Sequence, residues 1–394
     1  MQALGPGIIT AALILGPGTL TVASKLGSLY QYQLLWVIML STIFMIVFTI
    51  MSARYGFYIK QSLIGSIRLR YGKFASIIIG ISIFIVSISF QAGNSIGAGL
   101  AIASIVDTQP IPWIVFFSLL AIATLFFRSF YKILEKIMIV LVMVMLLSFL
   151  ITVIISSPDI KSVIQGFVPS IPKGSELLSI AIVATSCSLA GAFYQSYLVQ
   201  EKSWKSKAFN TCKTESITGI TILGFISMLV LILAGSVLYT NGISVNTAAD
   251  MGKALEPLFG DASFIIFMIG LFAASFSSLL GNATLGGNIL ADTLKLGTTH
   301  AQWSTRLLIM LLIVIGSMVA IVFSDFRLRL IVFAQAFTIL VVPIIAYVIL
   351  KISNDRSLML QNRNSVVTNS LGILGVFLLV GLAMSYIYLQ YLNN

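Results

Sequence analysis

Few side chains in this chain are suited to acid–base, nucleophilic or metal chemistry. Among 394 residues there are one histidine, His300, two cysteines, Cys187 and Cys212, and twelve acidic residues. The acids all fall in loops or near the ends of apolar runs, so none is expected at the centre of a buried segment. The cysteines make neither a disulfide framework nor a zinc spacing, and no cluster of nucleophile, base and metal ligands suggests an enzyme. The conspicuous features are uncharged. "GPGT", Gly16 to Thr19, interrupts an apolar stretch, and "TSCSLAGAF", Thr185 to Phe193, puts small and hydroxylated residues where large apolar ones are expected. Pro17 removes a backbone donor and clashes with the preceding turn, while the flanking glycines ease unwinding. A broken helix exposes carbonyls and half-helix N-termini, both ready to hold ions or small solutes. The candidate substrate residues at the two breaks are Gly16, Gly18, Thr19, Thr185, Ser186, Ser188 and Gly191.

The elements that must carry these breaks follow from composition. The chain is 58% hydrophobic and only 9% charged, whereas soluble domains are about a quarter charged. It therefore reads as an integral membrane protein, each span needing about 20 mostly apolar residues. Eleven apolar runs qualify: about 6–29, 33–53, 74–104, 111–127, 133–156, 176–200, 215–239, 259–291, 304–323, 328–351 and 367–390. Spanning backbone must satisfy its own hydrogen bonds, so these are predicted helices. The longest connectors fall near 54–73, 157–175 and 240–258, and no basic region precedes the first apolar run as a signal peptide would require.

Loop charges set the orientation. With the N-terminus cytoplasmic, 17 of the 23 basic residues fall in inside loops and 5 outside, leaving Lys25 within the first span. That bias predicts the N-terminus inside and the C-terminus outside, in a bacterial plasma membrane. The net charge of +11 is thus accounted for by cytoplasmic loops rather than by nucleic acid. Lys25 either supplies positive potential to an outer vestibule, attracting an anion, or snorkels to the interface. Breaks in the first span of one set of five and the first of the next point to a transporter of inverted repeats. The predicted single domain spans 1–394, with repeats at about 5–156 and 176–351 and an extra helix at about 367–390.

Several stretches resemble the Nramp family of divalent-metal transporters. "GPGIITAALILGPGTLTVASKLGSLYQYQLLW" is similar to that family's first span, "YKILEKIMIVLV" to its fifth, and "GFVPSIPKGSELLSIAIVATS" and "SYLVQEK" to segments flanking the sixth-span break. "ALEPLFGDASFIIFMIGLFAASFSSLLGNATLGGNIL" resembles the eighth and "VFAQAFTILVVP" the tenth. The resemblance implies an all-α, LeuT-type fold of two inverted five-helix repeats plus an eleventh helix, with substrate between broken helices 1 and 6. It does not carry over the functional residues. The family's Asp and Asn in span 1 fall on Gly16 and Thr19, and its Met-Pro-His in span 6 on Ser188, Leu189 and Ala190. A second histidine falls on Gln195, and the span-3 Asp and Glu tied to proton movement fall on Gln91 and Asn94. Gln335 alone matches, at the family's span-10 glutamine.

An uncharged site disfavours ordinary proton-coupled Mn²⁺ or Fe²⁺ transport. Without carboxylate or thioether little remains to select those ions, and Gln91, Asn94, Ala190 and Gln195 cannot move a proton. The favoured expectation is an alternating-access secondary transporter of a small polar or zwitterionic organic solute. The alternatives are a divalent cation transporter for Mg²⁺ or Mn²⁺, using hydroxyls, carbonyls and retained waters, and a non-transporting membrane sensor. No cofactor or firm metal ligand is expected. Cys187 is either a soft ligand or a small core residue. Ser275, Ser277 and Ser278 form a candidate sodium site, with ordinary back-bonding serines as the other reading. The "GNSIGAG" stretch, with Gly93 and Gly97, suits close helix packing.

Overall fold

The computed structural model describes residues 10–11, 14–202, 209–298, 302–323 and 327–392; side chains are described except at 128–136, 138–139, 327 and 392. His300, Lys205 and Lys207 lie outside the described residues. The main helices are α1 (Pro17–Tyr30), α2 (Leu35–Tyr58), α3 (Leu63–Ile105), α4 (Pro110–Thr124), α5 (Arg128–Ser156), α6 (Glu176–Ser186) and α7 (Leu189–Glu201). They continue with α8 (Phe209–Leu233), α9 (Ser263–Thr293), α10 (Trp303–Val322), α11 (Arg327–Thr338), α12 (Val342–Ser353) and α13 (Val366–Leu392). Among the described residues, eight helical stretches are long and apolar enough to cross a membrane, and shorter apolar helices lie at Pro110–Thr124 and Val140–Ser156. Among the described residues, each of the eleven apolar runs falls on a helix or a broken pair of helices. The protein is an all-helical integral membrane protein.

Three of the predicted boundaries move. Span 3 was expected to begin near 74, but helix starts at Leu63, where Ser62 caps it by accepting from the Gly65 N–H. The helix passes through a kink at Gly72, whose φ of 87° suits a residue without a β-carbon. The connector near 157–175 contains a helix, Ile160–Gln165, capped by Asp159. The connector near 240–258 contains another, Ala248–Gly252, closed by a reciprocal cap between Thr247 and Asp250.

Both expected breaks are present. Gly16 is extended (φ −134°, ψ −174°), and Pro17 opens α1, where its missing N–H costs nothing. Between α6 and α7 the chain leaves helical geometry at Cys187 (ψ 62°) and Ser188 (ψ 88°) without any proline. A third break, absent from the sequence reading, divides the tenth span. α11 ends at Thr338 and α12 begins at Val342, with Pro343 in its first turn.

α9 lies along α3 through the middle of the molecule, and small residues set their spacing. A β-carbon on Gly97 of α3 would fall 2.5 Å from Ser275 Oγ and 2.6 Å from the Pro17 ring. The stretch flagged for packing thus seats the first turn of α1 against the α3–α9 pair.

A charged clamp ties the kinked start of α3 to the connector after α12. Arg70 donates from Nε to Asp355 Oδ2 (2.9 Å) and from Nη2 to Oδ1 (3.0 Å). Hydrogen bonding from Arg70 holds the Asp355 carboxyl well below the usual carboxylate range. A carboxyl depressed in the folded state stabilises above its unfolded pKa of about 3.9 and loses that contribution as pH falls below it. Asp355→Asn is therefore expected to lower the melting midpoint by about 1–3 °C at neutral pH. The gap should stay constant from about pH 5 to about pH 8 and close below about pH 4, as read by fluorimetric melts in detergent.

Candidate functional site

The three breaks converge on one small cavity. Gly16 and Gly18 line it from the start of α1, Thr185 and Ser188 from the second break, and Gln335 from the last turn of α11. Asn94 of α3 and Ser278 and Asn282 of α9 complete its polar wall, and Ile14, Phe90, Ala190 and Leu285 its apolar one. The space open to the centre of a water-sized sphere is about 20 Å³, and a single water needs roughly 10–15 Å³. Among the described residues no carboxylate, histidine or thiol lines it, and nowhere do three His, Cys, Asp or Glu side chains gather as metal ligands.

The predicted substrate residues separate into two groups. Gly16, Gly18, Thr185, Ser188 and Gln335 meet at the cavity as expected. Thr19 and Thr185 hydrogen-bond to one another at 2.8 Å, joining the first turn of α1 to the last turn of α6. Thr19, Ser186 and Gly191 are buried but do not line the cavity. A β-carbon on Gly191 would instead fall 2.9 Å from Ile14 Cδ1, and the Ser186 hydroxyl is buried without a partner. Gln335 presses its amide against Gly18, where a β-carbon would sit 2.5 Å from Nε2. Its Oε1 is buried with no hydrogen bond.

The positions matched to a proton pathway are also divided. Asn94 and Ala190 line the cavity, whereas Gln91 accepts a hydrogen bond from Asn282 Nδ2 (3.1 Å). Gln195 accepts from Thr10 and donates to Ser216 Oγ at 3.0 Å. The candidate sodium serines do not gather. Ser275 donates back to the Leu271 carbonyl (2.6 Å), Ser278 faces the cavity, and Ser277 sits half-buried on another side of α9. Lys25 is half-buried two turns into α1 and does not reach the cavity. Cys187 is a free, buried thiol among core residues.

The two ends of the molecule differ. A hollow of about 540 Å³ lies between the C-terminal end of α3, the segment around Asn246–Ala249 and Leu328 of α11. At the opposite end Tyr197 of α7 donates to Asp292 Oδ2 (2.6 Å), and Asn288 Nδ2 donates to Tyr194 (2.8 Å). Arg68 adds two bonds to the carbonyls of Asp292 and Thr293 (2.7 and 2.8 Å). These contacts seal α7 against α3 and α9.

This chain matches the Natural resistance-associated macrophage protein-like (Nramp) family over residues 7–389. It belongs to the Nramp family. Relatives include the Divalent metal cation transporter MntH of Nostoc sp., 26% identical over 396 residues, which cover 96% of this chain and 88% of the relative. It is also similar to a Natural resistance-associated macrophage protein 2 homolog of Dictyostelium discoideum, 23% identical, spanning 52% of that longer protein. A manganese transporter of Eremococcus coleocola superposes with a TM-score of 0.83 at 20% identity, over 98% of this chain and 86% of that one. The nucleobase-cation-symport-1 family transporter Mhp1 follows with a TM-score of 0.65 at 13% identity, over 94% and 81%. The fold is thus the LeuT type shared by Nramp proteins and other secondary transporters.

Sequence reasoning missed one polar residue of the cavity, Asn282, its apolar residues Ile14, Phe90 and Leu285, and the whole seal. Asn282 carried an available signal, since Ser275, Ser278 and Asn282 recur on one face of an apolar helix at i, i+3 and i+7. Tyr194, Tyr197, Asn288 and Asp292 gave none, being ordinary residues near two helix ends.

Proposed function

We propose that this Nramp-family protein carries a hard divalent cation, Mg²⁺ before Mn²⁺, across a bacterial plasma membrane by alternating access. In this reading the N-terminus is cytoplasmic, the C-terminus is outside, and the halves at about 5–156 and 176–351 act as inverted repeats. The broken helices α1 and α6–α7 rock against the α3–α9 pair. The observation that carries the reading is the cavity itself, which combines uncharged oxygens with room for about one water. An amino acid needs room for several heavy atoms, so the organic solute favoured by composition alone finds no support in this geometry. The relatives' names, which are those of divalent metal cation transporters, support a metal ion as well. Mg²⁺ is held largely through retained waters, which suits a wall of amides and hydroxyls better than the selective binding of Mn²⁺ does.

Proton coupling has no group to serve it at Gln91, Asn94, Ala190 or Gln195. The expected result in proteoliposomes is saturable Mg²⁺ uptake with a KM on the order of 1 mM, weak because no carboxylate binds the ion. The rate should be unchanged between about pH 6 and about pH 8 and indifferent to an imposed proton gradient. Acceleration by a proton gradient would remove the uncoupled reading. Absence of Mg²⁺ and Mn²⁺ flux would remove the cation reading, in favour of an organic cargo or a sensor.

A further inference from the structure

We infer that Asn282 of α9 is a substrate ligand, and that the carboxamide oxygens of Asn282 and Asn94 take the place a carboxylate at position 16 would fill. The inference rests on the cation reading above. The Asn282 amide nitrogen donates to the Ser87 carbonyl at 2.8 Å and to Gln91 Oε1 at 3.1 Å, both on α3. A main-chain carbonyl only accepts, so the group facing Ser87 must be the NH₂, and the amide cannot be turned the other way. Both N–H bonds are then spent on α3. The remaining atom, Oδ1, receives no hydrogen bond from the described residues, although Asn282 is only 5% exposed and lines the cavity. An amide oxygen is acceptor-only, so its complement is a cation or a hydrogen-bond donor, and on the cation reading that is the ion or a water the ion holds.

A second oxygen converges on the same space. Asn94 makes no side-chain hydrogen bond among the described residues, and its Oδ1 lies 3.0 Å from where a β-carbon on Gly16 would stand. The Ser278 hydroxyl lies 3.0 Å from that point too. The volume vacated at Gly16 is therefore faced by neutral oxygens from α3 and α9, the helices opposite the break. Gln91 is a positioning residue: by accepting from Asn282 it keeps that nitrogen away from the cavity. Its own Nε2 is buried without a partner, leaving a donor in reserve.

The test uses two variants whose effects have opposite signs. Asn282→Leu keeps the bulk but removes the oxygen, and is expected to raise the KM for Mg²⁺ about tenfold with little change in maximal rate. Asn282→Asp puts a carboxylate on the cavity, turned away from the Ser87 carbonyl, to which it cannot donate, with the idle Gln91 Nε2 turning to donate to it. It is expected to lower KM about tenfold and to shift preference towards Mn²⁺. Melting midpoints of the purified proteins should follow, the shift caused by Mg²⁺ shrinking in the first variant and growing in the second. If both variants move KM in the same direction, or neither moves it while the wild type transports Mg²⁺, the ligand assignment falls and the cation reading stands. If the wild type carries neither Mg²⁺ nor Mn²⁺, both fall together.

Discussion

Gly16→Asp is expected to raise the affinity for Mn²⁺ by about a hundredfold or more, the largest gain available from one substitution. A divalent ion about 3 Å from one carboxylate gains roughly 11 kcal/mol of gross Coulomb energy at an effective dielectric of 20. Desolvation of both partners removes most of it, and a hundredfold requires only about 2.7 kcal/mol net. Space is adequate. The new β-carbon would lie 3.0 Å from Asn94 Oδ1 and from Ser278 Oγ, both side-chain atoms able to give by a few tenths of an ångström. Thr19 should be left alone, because its hydroxyl holds Thr185 across the break at 2.8 Å. Calorimetric titration of the purified variant with Mn²⁺ is the direct check. Binding no tighter than in the wild type would mean that the cation does not sit beside Gly16.

Gly56→Val is expected to damage stability severely, lowering the melting midpoint by at least about 5 °C or preventing accumulation of folded protein. A β-carbon on Gly56 of α2 would lie 2.3 Å from the Ser196 carbonyl oxygen and 2.9 Å from its Cα. These are backbone atoms of α7, so no rotamer change relieves the overlap, and the two helices must separate. Separation would also pull on Tyr197, the next residue, and on its bond to Asp292. Gly93→Ala is the control, since its β-carbon would meet only Gln335 Nε2 at an ordinary 3.5 Å. A Gly56→Val protein that melts with the wild type would refute the close α2–α7 packing.

How far the sequence disclosed these features depends on what each one needs. Span positions rest on long runs of apolar residues, which a membrane-spanning helix needs on whichever side it faces, and they were legible apart from their boundaries. The break at Gly16 was legible because proline and glycine act locally, on their own backbone. The division between α11 and α12 was not, because Pro343 sits in the first turn of a helix, where it fits without advertising the non-helical residues before it. Convergence on the cavity was legible for residues at the breaks, such as Gly16, Thr185 and Ser188. The reading failed for Thr19, whose hydroxyl turns to another hydroxyl, and for Asn282, whose role depends on which α3 atoms occupy its nitrogen. The serine trio failed for a helical reason. Ser275 and Ser278 lie on one face, Ser277 lies about 100° to 200° away, and Ser275 satisfies itself on Leu271.

The uncharged lining of the cavity bears on energy supply as well as on selectivity. If the proposed divalent cation is the cargo, no fixed charge offsets it, so the loaded carrier would move two whole charges and the empty carrier would return with none. Each charge crossing 100 mV is worth about 2.3 kcal/mol, so the pair gains about 4.6 kcal/mol. That is enough to sustain an accumulation of roughly three orders of magnitude without a second ion. On that reading the membrane voltage would be the motor, and every turnover would be an electrical current.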